Sequence, residues 1–205
     1  MEALALPVPT DAPAVKGPRQ GDWTRSDWET LPEDGNRYEI IEGVLYMSTA
    51  PSFFHQWITK RLYRLVGIPA EDQGLALCIW APIGVFMPGC DPVQPDFVVV
   101  LEQNKSIIHD RRIFGVPDLL VEILSPSSTD YDEQIKQTAY AKAGVPEYAI
   151  LDPQHRQLRL YRLKSPGRYG EPLIFGEGNT VTFNCLPGIS VRVGELFAGA
   201  PDTTL

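Results

Sequence analysis

The segment 117–151 constrains the fold more than any other part of the chain, because it places a helix between two apolar strands. A strand is predicted over 118–124, and a helix is predicted from a capping-box-like start at Asp130 until Gly144 ends it. A second strand is predicted over 147–151. Strand, helix and strand with short links form a βαβ crossover, so we expect the two strands to be parallel neighbours in one sheet.

The elements around this crossover indicate an α/β domain with a mixed sheet. Two β-rich runs around a Gly turn predict a hairpin over 37–47. Ser52 is placed to cap a helix over 53–66, and the run after Asp152-Pro153 predicts an antiparallel extension of the sheet. The other predicted elements are helical turns at 24–31 and 191–197 and strands at 75–80, 83–87, 95–101, 158–163 and 170–175.

Length and composition favour one globular domain with a tail. The 205 residues fit a single domain over 22–200, and the Pro- and Ala-rich residues 1–21 are expected to be disordered. A net charge of −8 argues against a protein that coats nucleic acid through bulk electrostatics, although a nuclease can have a local basic groove. Sparse cysteines and the lack of a basic leader favour the cytoplasm, and no apolar run reaches the roughly 20 residues of a membrane span.

Two of the apolar strands carry a carboxylate that would be costly to bury. Glu122 would share one face of its strand with Leu120 and Leu124, and an ionised Glu there needs a charged partner or a metal ion. Asp96 precedes the apolar run 97–101. If the two carboxylates meet on adjacent strands, they form an acidic pocket suited to a divalent cation. The alternatives are a wet edge strand or an Arg partner for Glu122, and a simple turn into the strand for Asp96.

Other polar residues have an ordinary interpretation beside a functional one. Lys136 and Tyr140 are four residues apart on the predicted helix and therefore share a face, which would ordinarily be solvated. Glu39 lies in the first hairpin strand, where an exposed position is the alternative, and His55 opens the first long helix, where a surface or capping role is the alternative. Asp118 lies at the mouth of its strand and is expected to be solvated.

Together these residue types suit a metal-dependent phosphodiesterase. Such an enzyme needs two or three hard oxygen ligands for Mg²⁺ or Mn²⁺ and a basic group near the scissile phosphate. A lysine ammonium can orient the attacking water or stabilise the transition state. The sequence has no phosphate-binding loop, nucleophile elbow or dinucleotide fingerprint that would indicate a different chemistry.

Several motifs occur in a characteristic order over residues 23–198, and they are most specific between Pro117 and Asp152. They are Arg37-Tyr38-Glu39-Ile40-Ile41-Glu42-Gly43, His55, Gln94-Pro95-Asp96, Pro117-Asp118-Leu119-Leu120-Val121-Glu122-Ile123-Leu124-Ser125-Pro126-Ser127, Lys136, Tyr140 and Gly144-Val145-Pro146-Glu147-Tyr148. This order resembles the Uma family, bacterial proteins described as putative restriction endonucleases and placed in the PD-(D/E)XK nuclease superfamily.

The resemblance implies a restriction-endonuclease-like core, with a mixed central β-sheet flanked by helices and an N-terminal β-hairpin. Asp96 and Glu122 would hold the metal ion from neighbouring strands, and the Ile123 backbone carbonyl would add a ligand. Glu39 matches the early acidic residue that completes such a site.

The resemblance also includes one departure from the superfamily pattern. The catalytic lysine would fall two residues after Glu122, where this chain has Leu124. Lys136 on the following helix is the candidate for a migrated lysine, with Tyr140 nearby. His55 and Gln94 match family positions to which no role is assigned.

The function expected from these observations is a Mg²⁺- or Mn²⁺-dependent endonuclease that acts on DNA. Two alternatives stay open: a catalytically inactive interaction module on a nuclease scaffold, and a hydrolase of another phosphate ester. Double-strand cleavage needs two active sites, so a homodimer is expected if the substrate is duplex DNA.

Overall fold

Residues 15–125 and 131–201 are described by a computed structural model, and they form mixed β-sheets with short helices. The helices are α1 (Arg25–Trp28), α2 (Phe53–Leu62), α3 (Ile68–Asp72), α4 (Gln137–Ala143) and α5 (Val193–Phe197). Two π-helical turns, Tyr63–Gly67 and Tyr131–Lys136, join α2 to α3 and precede α4, and a 3₁₀ segment spans Glu102–Ile107. Residues 1–14 of the tail predicted over 1–21, and the predicted helix start at Asp130, lie outside the described residues.

The strands are numbered in chain order. They are β1 (Arg37–Ile41), β2 (Val44–Ser48), β3 (Ala76–Trp80), β4 (Gly84–Met87), β5 (Cys90–Val93), β6 (Phe97–Leu101), β7 (Ile108–His109), β8 (Arg112–Phe114), β9 (Leu119–Ile123), β10 (Glu147–Asp152), β11 (Gln157–Ser165), β12 (Arg168–Tyr169), β13 (Leu173–Gly176), β14 (Thr180–Thr182) and β15 (Ser190–Arg192). The last two pair with each other as a separate ribbon.

The central sheet has the order β12-β11-β10-β9-β6-β3, with β13 paired to β11. Strands β9 and β10 are parallel neighbours, which confirms the predicted crossover. Strands β6 and β11 run antiparallel to their partners β9 and β10, so the sheet is mixed as predicted. Because β9 lies between β6 and β10, Glu122 belongs to an interior strand, and the edge-strand alternative is wrong.

A second sheet contains the predicted N-terminal hairpin, in the order β2-β1-β5-β4-β8-β7. The sequence predicted the hairpin but not this separate sheet. Apolar residues of both sheets form one core cluster, with Val85 and Val93 from the second sheet and Leu120 and Ile150 from the central one. β1 contributes Ile41 to the same cluster as Leu120, which lies on the face of β9 that carries Glu122.

The opposite face of the central sheet is covered by α2 and the segments that continue it. Ile58, Leu62 and Val66 form its apolar stripe and share a core cluster with Val121 of β9. The helical path extends to α3, beyond the predicted end at residue 66. Pro69 is compatible with this extension because it lies in the first turn of α3, where a missing N–H breaks no bond within that helix.

Asp118 differs from its predicted state, because it is buried rather than solvated. Its Oδ2 accepts a hydrogen bond from the Leu101 backbone N–H at 2.8 Å, and its Oδ1 accepts one from the Asn104 side chain at 2.8 Å. These partners come from the end of β6 and the 3₁₀ segment after it. The carboxylate therefore stabilises the connection out of β6 instead of facing water.

Candidate active site

Glu122 occupies the middle of the site, on the face of β9 that is directed towards α4. It is aligned with Ile150 of the parallel neighbour β10, and only 2% of its surface is exposed. Its Oε1 atom accepts hydrogen bonds from Lys136 Nζ at 3.0 Å and from the Tyr140 hydroxyl at 2.8 Å. The charge partner that a buried glutamate requires is therefore Lys136 rather than an arginine.

The Lys136 ammonium is surrounded by three carboxylates. Besides Glu122, its Nζ lies 3.2 Å from Glu39 Oε2 and 3.4 Å from Asp132 Oδ1. The spacing of four residues directs Asp132, Lys136 and Tyr140 to the same side of the helical segment. Lys136 is buried, so its ordinary interpretation as a solvated helix residue is wrong.

Burial and neighbouring charges shift the pKa values of Glu122 and Lys136 in opposite directions. Burial raises the pKa of the Glu122 carboxyl well above its usual value, and the Lys136 charge only partly offsets this rise. Burial alone would lower the pKa of the Lys136 ammonium, but the charges of Glu122 and Glu39 raise it above its usual value. The Lys136 side chain is therefore a protonated ammonium at neutral pH and donates to Glu122.

Asp96 lies directly before β6, beside Glu122 on the adjacent strand, but its oxygens are engaged by other groups. Oδ1 accepts a hydrogen bond from Arg37 at 3.0 Å, and Oδ2 lies 2.9 Å from His55 Nε2. Oδ2 also accepts the Ile123 backbone N–H at 2.9 Å. The structure thus links Asp96 to the strand of Glu122 through the Ile123 amide.

The partners of Asp96 stabilise its ionised form. Burial alone would raise the pKa of this carboxyl, but the hydrogen bond and charge of His55, and then the charge of Arg37, hold it well below its usual value. The His55 backbone is fixed by Ser52, whose hydroxyl accepts the His55 N–H at 3.2 Å, as the predicted helix cap requires. His55 therefore contacts a candidate site residue and is not a simple surface residue.

Glu39 connects the two groups of polar residues. It is buried on β1, so the exposed-strand alternative is wrong. Its Oε1 accepts the Gln94 backbone N–H at 2.5 Å, and its Oε2 accepts the Tyr131 hydroxyl at 3.2 Å. Arg37, two residues earlier on the same face of β1, donates to the Gln94 carbonyl as well as to Asp96. One strand thus supplies a carboxylate to Lys136 and a guanidinium to Asp96.

A cavity of about 290 Å³ opens beside Asp96. Its polar lining comprises Asn36, Arg37, His55, Gln56, Thr59, Gln94 and Asp96. Glu122 and Lys136 are buried and are not part of this lining. Of the site residues described above, Asp96, Arg37 and His55 are therefore accessible from this cavity.

The acidic residues have the right chemistry for a divalent ion, but the arrangement shown holds an ammonium instead. Carboxylate oxygens of Glu39, Glu122 and Asp132 are the hard ligands that Mg²⁺ and Mn²⁺ prefer, and all three point at Lys136 Nζ. Within residues 15–125 and 131–201, no group of three or more His, Cys, Asp or Glu side chains is arranged to hold a metal ion. As arranged, these three carboxylates pair with the Lys136 ammonium.

Arg37 and Asp132 belong to the site but had no role in the sequence-based prediction. In both cases the spacing to another site residue in the sequence indicates a shared face. Arg37 precedes Glu39 by two residues, which places the two side chains on one face of a strand. Asp132 precedes Lys136 by four residues, which places them together on a helix.

The motif order can be compared directly with known families. The model of the Uma2 family, described as "Putative restriction endonuclease", matches residues 25–194. The chain belongs to the Uma2 family. This confirms the resemblance drawn from the motifs, and the matched range includes Glu39, Asp96, Glu122 and Lys136.

The fold of this Uma2 protein is also found in a solved structure. The chain is similar to a putative nuclease belonging to DUF820 from Anabaena variabilis, with a TM-score of 0.72 and 19% sequence identity. The match covers 85% of this chain and 97% of that chain, and it confirms the predicted nuclease-like α/β fold. No functionally curated protein matches the chain. None of the helices in the described parts of the chain is long and apolar enough to cross a membrane.

Proposed function

We propose that this Uma2 protein is an endonuclease that hydrolyses phosphodiester bonds of DNA with the help of Mg²⁺ or Mn²⁺. Membership of a restriction-endonuclease family supports the nuclease class. The observation that carries the proposal is the buried contact of Lys136 and Tyr140 with Glu122, on the strand beside Asp96. Lys136, on the helical segment after β9, thereby reaches Glu122, although the position two residues after Glu122 is Leu124 and not a lysine.

The proposed metal ligands are Glu122, Asp96, Glu39 and the Ile123 carbonyl. When bound, a divalent ion would lower the pKa of a water molecule and offset negative charge that develops on the phosphate. Hydrolysis adds a water oxygen to phosphorus and breaks the bond to O3′, which leaves a 5′-phosphate and a 3′-hydroxyl.

The chain's own residues would orient the reactants. The Lys136 ammonium remains protonated, so it would donate hydrogen bonds to the attacking water or to a phosphate oxygen instead of removing a proton. Tyr140 would hold the Glu122 carboxylate in place through its hydroxyl. Arg37 and His55, at the cavity, would position the phosphate group beside Asp96.

Plasmid cleavage tests the proposal. The wild-type protein should nick or linearise a plasmid in Mn²⁺ and should lose this activity in EDTA. Asp96→Asn and Lys136→Met should both reduce cleavage strongly, whereas Lys142→Met, on the exposed side of α4, should cleave as the wild type does. Cleavage that persists in EDTA, or that survives both site substitutions, would rule out the proposed mechanism.

A second candidate is a non-catalytic interaction module on the same scaffold. Two observations favour it. The Lys136 ammonium already pairs with the Glu39 and Glu122 carboxylates, and Leu124 stands where the superfamily pattern has a lysine. A ligand that binds only the folded state must raise the melting temperature. The interaction module therefore predicts that Mn²⁺ leaves the melting temperature unchanged, and the endonuclease predicts a rise.

A further inference from the structure

Helix α2 and the π-helical turn after it form a local positive region on an acidic chain. The whole chain has a net charge of −8, but residues 43–70 contain no Asp or Glu. Lys60, Arg61 and Arg64 lie within this segment, on α2 and on the turn Tyr63–Gly67. A concentration of positive charge on an otherwise acidic protein directs a polyanion to that part of the surface.

The helical spacing brings an aromatic ring and two cations to the outer face of α2. Intervals of three and four residues place Trp57, Lys60 and Arg64 on one side, and both cations are exposed. Lys60 Nζ lies 4.7 Å from the centre of the Trp57 ring, a cation–π contact that orients the ammonium. Within the described residues, neither Lys60 nor Arg64 pairs with a carboxylate, whereas the exposed Lys105 and Lys142 do. The two charges on α2 are therefore available to an anion from outside.

Contacts with the C-terminal part of the chain fix α2 in place. Trp57 Nε1 donates to the Ala198 carbonyl at 3.0 Å, and Arg61 Nε donates to the Glu195 carbonyl at 2.8 Å. On the opposite side of α2, Ile58 is fully buried in the core. Cations presented by a fixed helix lose less conformational freedom on binding than cations on a loose segment.

The outer face of α2 adjoins the cavity beside Asp96. His55 and Gln56, in the first turn of α2, line this cavity, and His55 Nε2 lies 2.9 Å from Asp96 Oδ2. Gln56 is followed by Lys60 and Arg64 at intervals of about one helical turn, so each step is about 6 Å along the helix. A polyanion that occupies the cavity and continues along α2 therefore meets two cations.

We propose that Lys60 and Arg64 bind backbone phosphates of the DNA strand whose scissile phosphate lies in the cavity beside Asp96. This inference rests on the proposed function and adds the path of the substrate to it. Phosphate contacts fix the position of a protein on DNA without reading its sequence. They would give the chain affinity for DNA at one place on its surface despite its net charge of −8.

Salt-dependent DNA binding by variants of the full chain tests the proposal. The anisotropy of a fluorescein-labelled duplex of about 20 base pairs is measured in EDTA, between about 50 and 200 mM NaCl. Lys60→Gln combined with Arg64→Gln removes two phosphate contacts, so it should bind about tenfold or more weakly than the wild type at the lowest salt. The slope of log Kd against log salt should fall by about 1.8, since each phosphate contact contributes about 0.9.

Two control pairs separate the phosphate contacts from other effects. Lys60→Arg combined with Arg64→Lys keeps both charges and should retain the affinity and slope of the wild type. Lys105→Gln combined with Lys142→Gln also removes two exposed positive charges, but away from α2, and should match the wild type. An equal loss of affinity in the second pair would show an effect of net charge and would overturn the assignment to α2.

The outcomes also distinguish this inference from the proposed function. If circular dichroism shows that the Gln pair on α2 is folded and it binds the duplex as the wild type does, the inference is refuted. If that pair is unfolded, the single variants Lys60→Gln and Arg64→Gln should each lower the slope by about 0.9, and unchanged slopes would refute it. A wild type that does not bind the duplex at low salt would also overturn it. In each case plasmid cleavage in Mn²⁺ decides separately whether the nuclease function stands.

Discussion

Replacing Lys136 by methionine should destabilise the folded protein by about 3–5 kcal/mol, because carboxylates that stay buried lose their cation. The Lys136 ammonium lies 3.0 Å from Glu122, 3.2 Å from Glu39 and 3.4 Å from Asp132. Methionine keeps most of the apolar stem, so the loss of packing is small. Glu122 can become protonated in the variant, since burial already raises its pKa, and this limits the loss to that of one broken buried pair.

Urea unfolding at neutral pH in EDTA, followed by circular dichroism, measures this loss. With an m-value of about 2 kcal/mol/M, a loss of about 4 kcal/mol lowers the midpoint by roughly 2 M. Lys142→Met is the matched control on α4, because Lys142 and its partner Glu42 are 53% and 57% exposed and such a pair contributes only about 0–1 kcal/mol.

A double variant tests whether the loss of stability in Lys136→Met comes from the buried carboxylates. Lys136→Met combined with Glu122→Gln replaces one of the three carboxylates that lose their ammonium by a neutral amide, so it should be more stable than Lys136→Met alone. Equal midpoints for Lys136→Met and Lys142→Met would refute the reasoning, since they would mean that the buried cluster does not form.

Three further predictions concern the surroundings of this cluster. Tyr140→Phe removes the hydroxyl bonded to Glu122 and should cost about 1.5–3 kcal/mol in urea unfolding, and an unchanged midpoint would contradict the bond. Asp96 has a lowered pKa, so it stabilises the protein above its unfolded pKa of about 3.9 and loses that contribution as pH falls. Asp96→Asn should therefore flatten the acid-induced drop in melting temperature, and parallel pH profiles would contradict this. Burial raises the pKa of the Cys78 and Cys90 thiols to about 12, so Ellman's reagent should label them at mildly alkaline pH only after unfolding, and rapid labelling of the native protein would contradict their burial.

Local patterns were sufficient to predict the centre of the fold. The apolar run around Glu122, the helix stop at Gly144 and the following strand required the parallel pair β9 and β10. The spacing of Lys136 and Tyr140 placed both side chains on one helix face, and both contact Glu122. These relations depend on residues close in sequence, where strand and helix periodicity decide the direction of a side chain.

Contacts between distant residues could not be predicted in the same way. The second sheet joins β1 to β5, and β5 contains Asp91 and Pro92, which favour a turn when only the sequence is considered. The hydrogen bonds of Asp118 come from Leu101 and Asn104, which no local pattern relates to it.

The division of the acidic residues also depends on tertiary structure. Asp96 directly precedes β6, and Glu122 lies on the adjacent strand β9, close to the arrangement expected for a shared metal site. However, Arg37 from β1 and His55 from α2 reach Asp96, while Lys136 reaches Glu122. Only the packing of the two sheets against the helices brings these cations to different carboxylates.

The central claim is that Glu122 belongs to a nuclease site, and cleavage of an end-labelled DNA oligonucleotide in Mn²⁺ tests it most directly. Wild-type protein and Glu122→Gln are compared at equal concentration, after circular dichroism has shown that both are folded. We predict that the wild type produces ends with 5′-phosphate and 3′-hydroxyl groups, and that Glu122→Gln is slower by about 10²-fold or more. Equal cleavage rates for the two folded proteins would contradict the account.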